Sequence, residues 1–170
     1  MTGVILINRR CRMVIIRFIH LLSLIIWIGG MIFLVTIGAP SIFKILPREA
    51  AGDVLGDIFP KYWIMGYLCS GTALVTILLL SVKEKVYPWG RIGLLVFMTV
   101  LTLYLGLVVA ARAREVRVQI RSIEDTSQKE VLKTKFKGLH KWSVFLNVII
   151  LVSGLVVIFL IANGDSKHFL

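Results

Sequence analysis

The sequence predicts an all-α fold: an integral membrane four-helix bundle with a protruding hairpin of helices three and four and a short amphipathic helix at the membrane surface. Two observations lead to this class. The 170 residues are 58% hydrophobic and their mean hydropathy is +0.89, whereas a soluble domain is nearer half apolar. Four stretches also reach the roughly 20 apolar residues that a helix needs to cross a bilayer.

The four stretches are predicted to form one transmembrane domain over residues 1–170, with helices at about 14–37, 62–82, 89–123 and 127–162. Inside the bilayer every backbone polar group needs an internal partner, so these stretches must be helical. We expect helix one to be retained, because its apolar run is too long for a signal peptide. Four helices bring both chain ends to one face, called side A. The opposite face, side B, carries the two longer loops.

The first side-B loop has the pattern of a short amphipathic helix. Pro47 suits a first helical turn, and apolar residues then recur on one face: Ala51, Val54, Leu55, Ile58 and Phe59. The acidic residues lie mostly on the other face: Glu49, Asp53 and Asp57. This pattern predicts a helix that lies on the membrane surface and ends at Pro60.

The second side-B loop is predicted to be helical as well. One apolar stripe continues out of helix three and a second leads into helix four: Val109, Ala113, Val116, Ile120 and Ile123, then Leu132, Phe136 and Leu139. Ser127 and Glu130 have the spacing of a capping box. We therefore expect an antiparallel hairpin that turns near Asp125 and protrudes by roughly 20 Å. Its basic residues either dock on the acids of the first loop or remain a solvated surface.

The net charge of +11 does not imply a nucleic-acid partner. Basic loops orient membrane proteins and hold anionic lipid headgroups, so the expected partner is the lipid bilayer. The total number of basic residues favours side B in the cytoplasm, whereas the basic start of helix one favours the reverse, and the orientation stays open. We expect a multi-pass protein of a bacterial-type inner membrane.

Two histidines are the main candidates for chemistry, because ionisable groups inside a membrane are costly and are functional candidates by default. His20 lies in helix one and His140 opens helix four. Each heads a stripe of small and polar residues on its own helix, one with Ser23, Trp27 and Gly30, the other with Ser143, Asn147 and Gly154. Such stripes also form purely structural helix contacts.

The helix order places His20 near side A and His140 near side B, roughly 20 Å apart by helix rise. They therefore cannot share one haem, whose two axial ligands lie about 4 Å apart. Haem b on His20 alone, or on His20 with Met98, remains compatible with the sequence. The alternative is a structural histidine that hydrogen-bonds within the bundle.

His140 is expected near Arg112, Tyr62 and Asp57 on side B. An imidazole beside an arginine and a carboxylate could relay protons or bind an anion. Alternatively, His140 ties helix four to the loop at the interface. Cys11 and Cys69 lack metal-type spacing, and no phosphate loop, nucleophile elbow or zinc-protease motif occurs. No catalytic residue is predicted, and a non-enzymatic role is favoured.

Four motifs occur in one order: His20-Leu-Leu-Ser23…Trp27-Ile-Gly29-Gly30, Ala39-Pro40…Phe43, Phe59-Pro60-Lys61-Tyr62, and Phe136…Leu139-His140…Ser143…Asn147. Over about residues 14–162 they resemble the transmembrane-protein-205-like family of small four-helix membrane proteins. That resemblance implies four helices and, from one animal branch, a link to the export of platinum drugs. The Trp-x-Gly-Gly after a membrane histidine is more distantly similar to the copper-resistance D and membrane protoporphyrinogen oxidase families, of which the latter implies haem.

Three functions remain open from the sequence. The first is a small membrane protein that handles or exports a solute or metal complex, with His20 and His140 as ligand or proton sites. Such a protein would act as a homodimer through the small residues Gly66 and Ser70 of helix two. The second is a haem b redox protein that uses His20. The third is an accessory subunit whose basic hairpin binds a partner.

Overall fold

The computed structural model describes the backbone of residues 2–165 and the side chains of residues 10–163. Four helices in this range are long and apolar enough to cross a membrane, and they are called helices one to four: Arg10–Ile45, Arg48–Glu84, Trp89–Ser122 and Thr126–Asn163. The predicted all-α membrane bundle is confirmed.

The four helices comprise six α-helical segments and two π-helical turns within the described residues. Helix one contains α1 (Thr2–Phe33), a π turn (Leu34–Gly38) and α2 (Ala39–Ile45). Helix two is α3 (Arg48–Glu84). Helix three contains α4 (Trp89–Tyr104), a π turn (Leu105–Val109) and α5 (Ala110–Ser122), and helix four is α6 (Thr126–Asp165).

Helix one continues past its predicted end at residue 37, although Pro40 lies within it. A proline inside a helix lacks the N–H donor and its ring crowds the carbonyl four residues earlier. The π turn lies at this point, and the N–H of Ala39 bonds to the carbonyl of Leu34, five residues back. The wider turn gives the proline ring room. The helix therefore changes locally to π-type hydrogen bonds and continues instead of ending.

The predicted helix stop at Pro60 is wrong, because α3 runs unbroken from Arg48 to Glu84 with Pro60 inside it. Pro60 removes one hydrogen bond, the one to the carbonyl of Gly56. The segment before it is held by other contacts: Ala51 and Leu55 are buried, and Arg117 of α5 donates to the carbonyl of Gly52. These tertiary contacts outweigh the local preference for a break.

The first part of α3 extends helix two outward beside helix three, and the predicted separate helix on the membrane surface is corrected accordingly. Asp53 forms ion pairs with Arg117, at 2.8 Å, and with Arg121. Asp53 lies nine residues before Tyr62, about 13 Å of helix rise. The two arginines lie at a comparable height beyond Ala111. Docking is thus observed for Asp53, whereas Asp57 pairs with Lys61 of its own helix.

Helices three and four form the predicted antiparallel hairpin. The turn lies between α5 and α6, and Val116 faces inward at 3% exposure. The cap differs from the predicted capping box: the N–H of Ser127 donates to Oδ1 of Asp125 at 3.0 Å. Glu130 instead bonds to Lys133 at 2.7 Å. Asp125 is the residue immediately before α6, where a carboxylate reaches the free N–H groups of the first turn.

The hydrophobic core is formed by buried side chains from all four helices, with Trp27, Leu24, Leu95, Met98, Ile150 and Val157 among the most deeply buried. Glycines allow close approach at two points. A Cβ added at Gly30 would meet the end of Met65 at 2.9 Å, and one at Gly154 would meet Ile28 at 2.9 Å. The outward faces of the helices carry exposed Ile, Val, Leu and Phe side chains, as expected for lipid-facing surfaces.

The small-residue face of helix two packs inside the chain, which removes the basis for the predicted homodimer. Gly66 and Ser70 are both buried, Ser70 at 1% exposure. A Cβ at Gly66 would lie 3.3 Å from the side chain of Thr102 on helix three and 3.7 Å from Trp27 on helix one. The spacing that favours close helix contact is therefore used between helices of one molecule.

Candidate functional site

His20 bonds across the interface between helices one and two. Its Nδ1 lies 2.9 Å from Oγ1 of Thr76 and 3.1 Å from the carbonyl oxygen of Ala73. The imidazole is 6% exposed. A hydrogen-bonded structural histidine was one of the predicted alternatives, and this contact supplies the partner that a buried imidazole needs in a membrane.

The hydrogen-bond network around Thr76 assigns the tautomer of His20. The Thr76 hydroxyl donates to the carbonyl of Thr72 at 2.7 Å, so its oxygen is free to accept from the ring. Both atoms that face Nδ1 are then acceptors, and Nδ1 carries the proton. The lone pair of the neutral ring consequently resides on Nε2, the nitrogen that can take up a proton or coordinate a metal.

The residues predicted to share the His20 stripe are buried but do not contact the ring nitrogens. Ser23 donates to the carbonyl of His20 itself, at 2.8 Å. Trp27 is 1% exposed and packs in the core one to two turns deeper. Both residues lie on the buried face of helix one. The hydroxyl of Ser23 makes its hydrogen bond within its own helix.

Met98 is buried in the core, and its contacts place it away from His20. Its Cε lies 3.2 Å from the position of a Cβ on Gly154, a position that also meets the side chain of Ile28. Ile28 lies eight residues beyond His20, about 12 Å of helix rise. The sulfur ligand proposed for a His20–Met98 haem therefore lies beside Ile28, while Nδ1 of His20 is bonded to helix two.

His140 is exposed on helix four. Among the described residues, no hydrogen bond or ion pair joins it to Arg112, Tyr62 or Asp57. Asp57 pairs with Lys61 at 2.6 Å, and the buried ring of Tyr62 makes an edge contact with Trp63 at 5.2 Å between ring centroids. The predicted side-B site therefore has no hydrogen bond or ion pair to His140 among the described residues, and its role stays a prediction.

Asn147, one of the residues on the His140 stripe, is partly buried and donates to the carbonyl of Ser143 at 2.9 Å. Asn147 therefore satisfies its amide within helix four, as the buried serines and threonines do elsewhere. Arg112 is exposed on α5. Neither residue is brought to His20.

The two histidines lie at opposite ends of the bundle. Ile28 and Gly154 meet in the core, eight residues from His20 and fourteen residues from His140. Because helices one and four run in opposite directions, these offsets separate the two imidazoles by roughly 30 Å along the bundle. The separation exceeds the 20 Å estimated from the sequence, and it excludes one shared site.

The described residues contain no group of three or more His, Cys, Asp or Glu side chains placed to hold a metal ion. Cys11 is exposed, Cys69 is buried, and both are free thiols. A metal bound at His20 would find no cluster of further ligands among the described residues and would rely on ligands that it brings with it.

Residues 22–122 match the family described as a domain of unknown function, DUF4149. This stretch is more than half of the 170 residues. The chain belongs to the DUF4149 family. Among curated proteins and solved structures, no match to the chain is found.

The DUF4149 match includes Thr76, most of helix one and all of helices two and three, but it begins two residues after His20. Of the predicted site residues, five lie inside it: Ser23, Trp27, Tyr62, Met98 and Arg112. His140 and Asn147 lie outside it. The family assignment gives no activity, and the resemblance to the transmembrane-protein-205-like family stays a prediction.

Sequence reasoning missed the helix-two partner of His20. A signal for it was present, since Gly66, Ser70, Ala73, Thr76 and Ser81 are small residues at helical spacing on helix two and all are buried. Sequence reasoning also missed the indole of Trp63, whose Nε1 is buried and has no hydrogen-bond partner among the described residues. It lies beside the second π turn, where a Cβ on Gly106 would meet Trp63 at 3.1 Å.

Proposed function

We propose that this DUF4149 protein moves a small solute or a metal complex across the membrane, with His20 as the group that exchanges a proton or a ligand with it. The observation that carries the proposal is the buried imidazole, 6% exposed, that bonds from helix one to helix two. An ionisable group kept inside a membrane domain is costly, and it is retained most often for transport of ions, protons or ligands.

The hydrogen bonds of His20 suit such exchange. Since Nδ1 donates to Thr76 and the carbonyl of Ala73, the ring is held in one orientation and Nε2 is the exchanging atom. Protonation at Nε2 leaves the Nδ1–H bond in place, so the ring can gain and lose a proton without releasing helix two. A soft-metal complex could instead exchange one of its own ligands for Nε2.

A charged pair lies on the side-A flank of His20. Arg17, one turn earlier on helix one, bonds to Glu84 at the end of helix two at 2.7 Å. This pair bridges the same two helices as His20 does and offers a polar approach from side A. His140, roughly 30 Å away by helix rise, has no part in this site.

The experiment compares cells that express the wild-type chain, His20→Gln or His140→Gln with cells carrying an empty vector, at matched amounts in the membrane. Growth is measured against a panel of soft-metal salts, a platinum(II) complex and membrane-permeant organic cations. We expect the wild-type chain and His140→Gln to change tolerance to at least one compound and His20→Gln to lose that change. Glutamine can replace the hydrogen bond but neither titrates near neutrality nor ligates well.

Two results would overturn the proposal. The first is that expression of the wild-type chain changes the tolerance of the cells to none of the compounds in the panel. The other is a tolerance change that His20→Gln retains in full. The purified protein is also scanned for a Soret band, since its presence in wild type and loss in His20→Gln would assign the residue to haem b instead.

A second function is favoured by one specific observation. The Asp53–Arg117–Arg121 cluster fixes the side-B extension of helix two to helix three, and a rigid projection is suited to an accessory subunit that holds a partner. A photo-crosslinker at Glu124, near the tip, should give a discrete adduct in native membranes. The yield of this adduct should fall in Asp53→Asn and stay unchanged in Asp57→Asn. Equal yields in the two variants would count against this function.

A further inference from the structure

The unpaired positive charge of the hairpin is concentrated where the hairpin leaves the membrane. Five basic side chains there are exposed, and together they are called the waist: Arg112, Arg114, Lys135, Lys137 and Lys141. Because α5 and α6 are antiparallel and turn at residues 123–125, residues equally far from the turn lie at the same height. Arg112 is thus level with Lys137, and Arg114 with Lys135.

The height of the waist overlaps that of the lipid headgroups. Helix three leaves its apolar stretch at Ala111 and helix four enters its own at Trp142, so on each helix the waist residues lie within the first two turns outside that helix's apolar stretch. Two turns are about 11 Å of helix rise, and the headgroup region on each side of a bilayer is roughly 5–8 Å thick. Trp142, 48% exposed and stacked on Phe145, marks the interface as interfacial tryptophans commonly do.

Three of the cations farther out are paired, whereas Lys129 and the five cations of the waist are in no ion pair among the described residues. Near the tip, Arg117 and Arg121 bond to Asp53 and Lys133 bonds to Glu130. Within residues 10–163, none of the five waist side chains makes an ion pair. Glu115 follows directly after Arg114, and the local balance remains strongly positive. The hairpin and the extension of helix two thus use most of their outer basic residues in ion pairs, whereas the basic residues of the waist stay unpaired within the described chain.

We propose that the waist binds the phosphate groups of anionic phospholipids on side B. Arginine forks and lysine ammonium groups at headgroup height form charge-assisted hydrogen bonds with phosphate oxygens. An acidic protein is the less favoured occupant, because it would have to fit between the projection and the bilayer surface. The site is distinct from His20, and the proposal stands whether or not the chain transports anything.

The test uses the full-length protein in vesicles of phosphatidylcholine that contain brominated lipid, in a Trp89→Phe background. Trp27 and Trp63 are buried, so Trp142 dominates the fluorescence that lipid can quench. Brominated phosphatidylglycerol and brominated phosphatidylcholine are compared at equal mole fraction. We expect stronger quenching by the anionic lipid, and we expect the difference to shrink at high salt because exposed charges are screened.

The deciding comparison is between two double variants that remove the same charge. Arg112→Gln with Lys137→Gln changes the waist, and Lys129→Gln with Lys133→Gln changes the tip. The waist variant should lose most of the anionic preference, whereas the tip variant should keep it. Gel filtration and helical circular dichroism confirm that both variants insert and fold.

Three outcomes would overturn the proposal. Equal quenching by the two lipids in the wild-type protein would exclude a headgroup preference. Equal losses in the waist and tip variants would assign the preference to diffuse charge. Binding of polyglutamate to the protein in pure phosphatidylcholine, lost in the waist variant and unaffected by added phosphatidylglycerol, would assign the waist to an acidic protein instead.

Discussion

At the scale of single residues, most hydroxyl groups of the membrane core bond within their own helix. Ser23, Ser70, Ser81 and Thr102 each donate to a carbonyl three or four residues earlier. Such bonds satisfy the hydroxyl in lipid without linking neighbouring helices. His20 differs, since its ring bonds to helix two. Loss of the His20 ring should therefore weaken the contact between helices one and two.

Replacing Thr76 with valine tests this link. Valine keeps the shape of threonine and removes the hydroxyl that accepts from His20, so the free energy of unfolding should fall by about 0.6 kcal/mol and by no more than about 1.7 kcal/mol, the range for hydrogen bonds between membrane helices. Thr102→Val is the matched control, because Thr102 is equally buried and bonds only to Met98 of its own helix. Detergent unfolding followed by tryptophan fluorescence measures both, and equal losses would contradict the link.

The sequence was informative about His20 itself but could not supply its partner. A histidine inside an apolar run identifies a residue that needs a hydrogen bond, whatever surrounds it. The partner depends on which face of helix two turns toward helix one, and the apolar pattern of a membrane helix encodes that face weakly because its lipid side is apolar too. Met98 was proposed from its depth alone, and its actual neighbour is Gly154.

At the scale of secondary-structure elements, the second π turn lies in close contact with helix two at Gly106. A Cβ at Gly106 would overlap the hydroxyl oxygen of Tyr67 and would lie 2.8 Å from its Cζ. A tyrosine ring is rigid, so it cannot yield at its far end as a methionine does. The contact requires glycine at this position.

Gly106→Ala should therefore destabilise the protein by about 1–3 kcal/mol, the usual cost of overpacking. Gly93→Ala on the same helix is the control, because a Cβ there meets nothing within 4 Å, and it should be neutral or slightly stabilising. The midpoint of thermal or detergent unfolding measures the difference. A Gly106→Ala variant as stable as Gly93→Ala would mean that Tyr67 does not occupy this position.

The extension of helix two illustrates what local sequence rules miss. Pro60 predicted a break, and it would cause one in an isolated peptide, yet α3 continues because Asp53 and Gly52 are held by arginines of α5. The hairpin was predictable because its apolar stripe is long and regular. The contact between hairpin and extension was foreseen only as one of two alternatives, since complementary charge does not distinguish docking from solvation.

Asp53→Asn should loosen the extension, because one carboxylate serves both Arg117 and Arg121. Amide hydrogen exchange over residues 48–60 should become faster, while exchange in the membrane part of helix two stays slow. Asp57→Asn is the control: Asp57 pairs only with the exposed Lys61, and surface pairs of this kind contribute little. Unchanged exchange in Asp53→Asn would show that apolar contacts of Ala51 and Leu55 hold the segment alone.

At the scale of the whole molecule, polar contacts join the helices at both ends of the bundle, and apolar packing joins them in the middle. On side A, Arg17 bonds to Glu84 and Arg91 donates to the carbonyl of Leu160 at 2.5 Å. On side B, Asp53 joins the extension to the hairpin. Between them, Gly30 and Gly154 allow close apolar contact. Composition predicted this division, because apolar runs fix the membrane spans and charges collect outside them.

Helix order further places His140 and the hairpin tip on one membrane face and the turn between helices two and three on the other. Single cysteines at His140, Lys133 and Lys85, all exposed positions, test this in a background with Cys11→Ser and Cys69→Ala. A membrane-impermeant maleimide applied to sealed oriented vesicles should label His140→Cys and Lys133→Cys together, and Lys85→Cys only after the vesicles are opened, or the reverse. Whichever pattern appears also fixes the orientation that the charge distribution left open. Labelling of His140→Cys and Lys85→Cys from the same face would require an even number of crossings between them, whereas helix three provides one, and would refute the four-helix arrangement.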